Sequence, residues 1–242
     1  SDNTHILVDM GVSKKRIEEG LKSLEVSGND IDGIFITHEH SDHIQGLGVF
    51  SRKYNVPIYG SAKTLEEIQR CKSLGYISPC LFNEIRANED ICIGDIRVNP
   101  IKISHDAADP YAYTFTDGNK RMAVATDMGT YSDYIVDRLK GMDALLLEAN
   151  HDVRMLQVGP YPYPLKQRIL SESGHLSNEN AGRLLCEILH DNLQSIYLGH
   201  LSHENNLPAL AYETVRMEIE MNDCPYRACD FELRVAKRCE PS

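Results

Sequence analysis

Three histidines and two acidic residues crowd into seven positions, Thr37-His38-Glu39-His40-Ser41-Asp42-His43, directly after the apolar run Gly33-Ile34-Phe35-Ile36. A β-branched apolar run that stops at such a cluster reads as a buried strand delivering its end to a site. On extended backbone, side chains two apart point the same way, so His38 and His40 can face one cation, while Asp42 and His43, past the bend, can reach a second. A solvated polar loop is the plain alternative, but such a loop has no reason to concentrate imidazole, a frequent metal ligand.

The same arrangement recurs along the chain. Residues 95–104 alternate apolar and polar like a half-buried strand and end at His105. Tyr111–Thr116 and Lys120–Thr126 read as two strands joined by the turn Asp117-Gly118-Asn119, and the second stops at Asp127, which alone would pass for a helix cap. Asp143-Ala-Leu-Leu-Leu-Glu148 is a buried strand running into Ala149, Asn150 and His151, and Gln194–Gly199 is another that ends at His200. Residues 5–9 form a further strand, and the chain closes with a helix from Leu207 to Met221 and a strand near Phe231–Val235. Between these strands, Ser13 caps a helix with Ile17, Leu21 and Leu24 on one face, Ile44–Tyr54 reads as one helix, and Thr64-x-x-Glu67 as a capping box. Ser177 or Asn178 caps a helix with the stripe Ala181, Leu184, Leu185, Ile188 and Leu189, and His175 sits on the loop before it. Strands alternating with helices in this way predict two sheets between helices, with the site along one edge. Residues 153–172 carry Arg154, Lys166 and Arg168 beside Tyr161-Pro162-Tyr163-Pro164; the prolines argue against regular helix, and the basic and aromatic mixture reads as a substrate loop or a plain connector. His203 is either behind the site or on the surface.

His-x-His-x-Asp-His after a hydrophobic strand resembles the signature of metallo-β-lactamase-fold hydrolases. The longer Thr-His-Glu-His-Ser-Asp-His-Ile-x-Gly-Leu-Gly is similar to the WalJ/YycJ-like branch, and the likeness runs from Ile6 to about Asn206. The resemblance implies an α/β fold, the αββα sandwich of two mixed β-sheets flanked by helices, as a single domain over 1–242; the family's opening strand and Gly-Ser-x-Gly-Asn turn are not found ahead of His5. It implies one metal on His38, His40 and His105, whose Ser-His-Asp-Ala-Ala is similar to a family motif, another on Asp42, His43 and His200, and Asp127 bridging both. Zinc suits these ligands, and manganese and iron are compatible. Glu148 and Gly174-His175-Leu176-Ser177 also resemble the paired motifs of ribonuclease Z-type endonucleases. By that likeness Asp42, Glu148 and His175 are catalytic: His175 would protonate the departing oxygen, Glu148 would hold its ring, and a hydroxide between the metals would attack. Arg154, Lys166, Arg168, His151 and Asn150 are expected to meet substrate. The expected activity is that of a phosphodiesterase, exonuclease-like, on DNA or RNA. A small-molecule hydrolase of a lactone, thioester or cyclic phosphate is the alternative, and a non-catalytic metal-binding regulator the third reading.

Composition bounds these readings. With 242 residues, 42% of them hydrophobic, the chain can bury a sizeable core. It has no apolar run of about eighteen residues and no signal-like start, so a cytoplasmic protein without a membrane partner is expected. The seven scattered cysteines, Cys239 among them, suit reduced thiols. A formal net charge of −11 disfavours nonspecific binding of nucleic acid, so a polyanionic substrate requires a local basic patch. A homo-oligomer is compatible with all of this.

Overall fold

The computed structural model of the protein describes residues 1–238; Cys239 lies outside them. The described chain divides into two compact units, the first comprising Ser1–Lys102 and Ala107–Asn119, the second Ile103–Asp106 and residues 120–238.

The first unit runs β1 (His5–Val8), α1 (Lys14–Ser23), β2 (Ile31–Phe35), α2 (Ser41–Ile44), α3 (Leu47–Tyr54), β3 (Ile58–Gly60), α4 (Ala62–Arg70), β4 (Phe82–Glu84), β5 (Ile91–Ile93), β6 (Ile96–Lys102) and β7 (Tyr111–Asp117). Strands β1 to β4 form a parallel sheet in that order, as the intervening helices require, because parallel neighbours need crossover connections. The apolar run that ends β2 is wholly buried, as are Ile44, Leu47, Phe50 and Ile58 around it. Each such side chain contributes about 1.5–3 kcal/mol by leaving water. Strands β5, β6 and β7 pair antiparallel. From β7 the buried Tyr113 hydroxyl donates to the Ile36 carbonyl (2.7 Å), fixing the strand end just before the histidine cluster.

Three local expectations change here. The helix expected over Ile44–Tyr54 is broken at Gln45 and Gly46, because the Gly46 N–H donates to the Met10 carbonyl and a Cβ there would lie 2.3 Å from the Val12 oxygen. Helix α4 is capped by Ser61, whose hydroxyl accepts the Thr64 N–H (3.2 Å), so the capping role expected of Thr64 falls three residues earlier. Leu24, expected on the apolar face of α1, is the C-cap and is exposed.

The second unit contains β8 (Lys120–Ala125), α5 (Asp133–Leu139), β9 (Ala144–Glu148), α6 (Val153–Val158), α7 (Tyr163–Ile169), α8 (Asn178–Ile188), β10 (Ser195–Gly199), α9 (Pro208–Met221) and β11 (Glu232–Val235). Strands β8, β9, β10 and β11 pair parallel in that order, with Ala125, Leu147 and Leu198 fully buried. Helix α8 presents Ala181, Leu184, Leu185 and Ile188 to the core, and α9 presents Ala211, Val215 and Ile219. The stretch read as an irregular loop over 153–172 holds two helices. Pro162 is the N-cap of α7 and Pro164 lies in its first turn, where a proline's missing N–H leaves nothing unsatisfied.

Two sheets flanked by helices thus make up the fold. The four-stranded sheet is parallel throughout, and parallel and antiparallel pairs both occur among the remaining strands. Among the described residues no helix is long and apolar enough to cross a membrane.

Candidate metal centre

In the first unit the spacing of the motif acts as the extended backbone dictates. His38 is buried and its Nε2 lies 2.9 Å from His40 Nδ1, so the two rings meet on one side of the chain. His43 sits in α2, with its Nδ1 2.7 Å from Asp9 Oδ2 and its Nε2 3.8 Å from Asp42. Asp9, which closes β1, also accepts the Thr37 N–H and the Thr37 hydroxyl, each at 2.8 Å. A carboxylate behind a ligating imidazole fixes its tautomer and aim. Glu39, inside the motif, turns away from this role, because its carboxylate accepts the Ala108 N–H (2.8 Å) and so braces the loop after His105. Gly11 makes the close approach of the β1 loop feasible: a Cβ there would fall 1.6 Å from the Asp42 carbonyl oxygen.

In the second unit, His105 Nδ1 contacts the Gly174 carbonyl (2.9 Å), which leaves Nε2 toward Asp127 Oδ1 at 3.6 Å. Burial lowers the pKa of His105, favouring the neutral ring that a metal requires. Asp127 is buried, and its Oδ1 also lies 3.5 Å from His175 Nδ1 and 3.6 Å from His200 Nδ1. Glu148 is wholly buried; its Oε1 stands 2.9 Å from the Nδ1 atoms of both His175 and His200, and its Oε2 accepts the N–H groups of Met128 (2.8 Å) and Leu176 (3.2 Å). Burial pushes the Glu148 carboxyl up, but its hydrogen bonds with His175 and His200 prevail and hold it well below the usual carboxylate range. His175 shows the reciprocal effect, with burial lowering its pKa and the hydrogen bond to Glu148 raising it further, for a net rise. Asp127, Glu148, His175 and His200 offer ligand atoms within 4.8 Å of one another. Imidazoles and carboxylates so gathered fit a divalent metal ion.

Asp9, Asp127 and His200 share one backbone trait, a left-handed φ of 57°, 59° and 55°. Glu25, Asn55 and Asn88 share that region away from the centre, and aspartate and histidine enter it more readily than most side chains, so here it serves to turn the chain sharply at the strand ends. Asp9 escaped the sequence reading; its signal was the one that revealed the others, an apolar strand ending in an acid.

The residues expected to meet substrate divide. His151 is 1% exposed, and burial lowers its pKa to about 4. Asn150 is also buried and spends its amide on the His200 carbonyl (2.8 Å). Both side chains are thus enclosed by protein in this structure. Arg168 pairs with Asp106, and Lys166 Nζ donates to the Gln157 carbonyl (2.8 Å). Arg154, exposed at the start of α6, makes no hydrogen bond or ion pair among the described residues. His203 is on the surface beside Glu204.

Strand ends that carry imidazoles and carboxylates, backed by a buried Glu–His pair, define a metal-dependent hydrolase. Residues 4–194 match the family described as "Beta-lactamase superfamily domain". The chain is 41% identical over 220 residues to the exodeoxyribonuclease YycJ of Bacillus anthracis, covering 91% of this chain and 83% of that one. It is 40% identical over 218 residues to the exodeoxyribonuclease WalJ of Streptococcus pneumoniae serotype 2, covering 90% and 81%. The crystal structure of the metallo-β-lactamase-fold protein YhfI from Bacillus subtilis shares the fold, with a TM-score of 0.71 at 20% identity over 98% of this chain and 86% of that one. This chain therefore belongs to the β-lactamase superfamily, in the branch of YycJ and WalJ. It is a hydrolytic enzyme, and its fold implies divalent metal ions.

Proposed function

We propose that the enzyme is a phosphodiesterase that degrades DNA or RNA as an exonuclease, in the cytoplasm, its two units acting as one metallo-β-lactamase-fold domain. We assign one ion, zinc by preference and manganese or iron as alternatives, to His38, His40 and His105, a second to Asp42, His43 and His200, and Asp127 to both. When bound, such ions supply an activated water at neutral pH and offset the charge of a phosphate. Two relatives named exodeoxyribonucleases support the nucleic-acid reading.

The observation that carries it is the 2.9 Å contact of Glu148 with His175. Glu148 Oε1 fixes the ring through Nδ1, and the carboxylate favours the charged imidazolium against burial. The proton on Nε2 is then the one given to the departing oxygen. A phosphodiester of nucleic acid expels an alkoxide, which needs that proton. Arg154 offers its guanidinium to a phosphate along the strand.

A second reading, hydrolysis of a small lactone, thioester or cyclic phosphate, is favoured by the net charge of −11. The deciding experiment incubates the metal-loaded protein with end-labelled single- and double-stranded DNA, with RNA, and with a panel of lactones and thioesters. Release of nucleotides that a chelator abolishes is expected. Turnover of the lactones or thioesters with intact nucleic acid would overturn the reading.

A further inference from the structure

Three segments carry the second unit's chemistry: the one leaving β9 with Glu148, the one entering α8 with His175, and the one leaving β10 with His200. Two buried asparagines join them. Asn206 is 3% exposed and Asn178 fully buried, and their carboxamides form a reciprocal pair, Asn178 Nδ2 to Asn206 Oδ1 at 3.0 Å and Asn206 Nδ2 to Asn178 Oδ1 at 2.9 Å. Asn206 Nδ2 also reaches the carbonyls of Ala149 (2.9 Å) and Asn150 (3.0 Å), and its Oδ1 accepts the Leu207 N–H (2.9 Å). Around this pair the three segments are stitched backbone to backbone. Ala149 N–H donates to the Gly199 carbonyl (3.0 Å), Asn150 N–H to that of Leu176 (2.9 Å), Asn178 N–H to that of His151 (3.0 Å), and Ser202 N–H to that of Asn150 (2.7 Å). The Asn150 amide closes the circuit on the His200 carbonyl (2.8 Å).

Few side chains other than a carboxamide could serve here. One planar group must present two N–H bonds and an acceptor at once, a set that aspartate lacks and serine is too short to span. The surroundings are apolar, with Leu147, Leu176 and Leu198 fully buried, so leucine-like packing would have closed this part of the core without polar groups. A satisfied polar network in such a place selects a single arrangement of the segments it joins. The segments it joins begin at Glu148, contain His175 and begin at His200.

We propose that Asn206 and Asn178 are positioning residues that set the Glu148–His175 pair in the geometry for proton delivery. The proposal rests on the phosphodiesterase reading above for its kinetic consequence, but not for its structural one. Misplacing an acid by about 1 Å can lower a rate on the order of 10²-fold without touching binding.

The test compares wild type, Asn206→Asp, His175→Ala and the double variant. Asn206→Asp should speed hydrogen exchange at the Ala149, Asn150, Asn178 and Ser202 amides by about tenfold or more, while the Ile34 and Ile36 amides of the first unit stay as in wild type. It should lower kcat on DNA by roughly 10- to 100-fold with KM within about twofold, and barely slow a nitrophenyl phosphodiester, whose phenolate leaves unaided. In the His175→Ala background it should cost nothing more on DNA, since the acid it positions is gone. Equal losses on both substrates, losses that multiply with His175→Ala, or an unchanged kcat on DNA would each overturn the proposal. So would exchange that rises evenly across the whole chain. If His175→Ala itself slows both substrates alike, the proton-delivery reading fails, and the exchange pattern alone then decides whether the pair holds the segments. Should Asn206→Asp not fold, Asn178→Ser removes the same pair from the helix side and is held to the same outcomes.

Discussion

Glu148 grips His175 from two sides: Oε1 meets the ring at Nδ1 (2.9 Å), and Oε2 accepts the backbone N–H of the next residue, Leu176 (3.2 Å). Ring and backbone therefore move together. His175→Ala should slow cleavage of nucleic acid by about 10²- to 10⁴-fold and barely affect a nitrophenyl phosphodiester. Glu148→Gln should show a milder version of the same pattern and lose roughly 1–3 kcal/mol of stability, because an amide cannot accept every N–H that the carboxylate does. Steady-state rates on the two substrates, with urea unfolding, check both.

Asp127 stands among three imidazoles, and the metal content should report it. The purified protein is expected to carry close to two metals per chain and Asp127→Ala to lose at least one, as read by elemental analysis. Two tightly held metals in the variant would remove Asp127 from a bridging role. Chelation should lower the melting temperature of the wild type, since metal at a hundredfold excess over its Kd adds about 2.7 kcal/mol to stability.

Asp9→Asn keeps an oxygen for the Thr37 N–H but replaces the atom that faces the Thr37 hydroxyl and His43. Metal affinity should fall by about 10- to 100-fold, as it does when a carboxylate behind a ligand is lost. Competition with a chromogenic chelator measures it; an unchanged affinity would leave Asp9 a purely structural residue.

Among the three basic residues of 153–172, Arg168 and Lys166 already have partners within the protein, so Arg154→Ala should weaken DNA binding most. It should reduce the salt slope of log K by about one unit, and the triple variant should flatten it further. An unchanged slope would mean that the strand enters elsewhere.

Away from the site, hydrogen bonds from Lys53, Tyr54 and Lys14 lower the Glu18 pKa from 4.5 to about 2. A folded-state pKa below the unfolded one adds stability that is fully present above pH 4.5 and is lost as the pH falls toward 2. Glu18→Gln should therefore be less stable than wild type at pH 7, and the difference should shrink steadily between pH 4.5 and 2 in urea titrations. A constant difference would assign the effect to packing.

The strand-end pattern was legible because the imidazoles lie within a few residues of the strands that carry them, as with Phe35 and His38 or Leu198 and His200. What stayed hidden depends on contacts far along the chain. Asp9 has no chemistry beside it in sequence; its partner His43 is 34 positions away. Asn178 reads as a helix cap and Asn206 as a loop residue until each is seen opposite the other. Ser61 and Thr64 are both good cap residues, and only the fold chooses Ser61, whose hydroxyl also reaches the Asp109 carbonyl (2.8 Å). The prolines of 162–164 misled because position within a helix, and not their presence, decides what they do.

The left-handed φ at Asp9, Asp127 and His200 gives mutational drift a direction. Side chains held in that region cost roughly 1 kcal/mol or more each, and glycine removes the strain. In a lineage released from selection for activity, glycine or asparagine should accumulate first at these three positions, and the protein would gain stability as it lost its chemistry. Glu25, Asn55 and Asn88 hold the same left-handed φ away from the candidate centre, so relaxing them should raise stability and leave the chemistry untouched, whereas at Asp9, Asp127 and His200 the two would trade against each other.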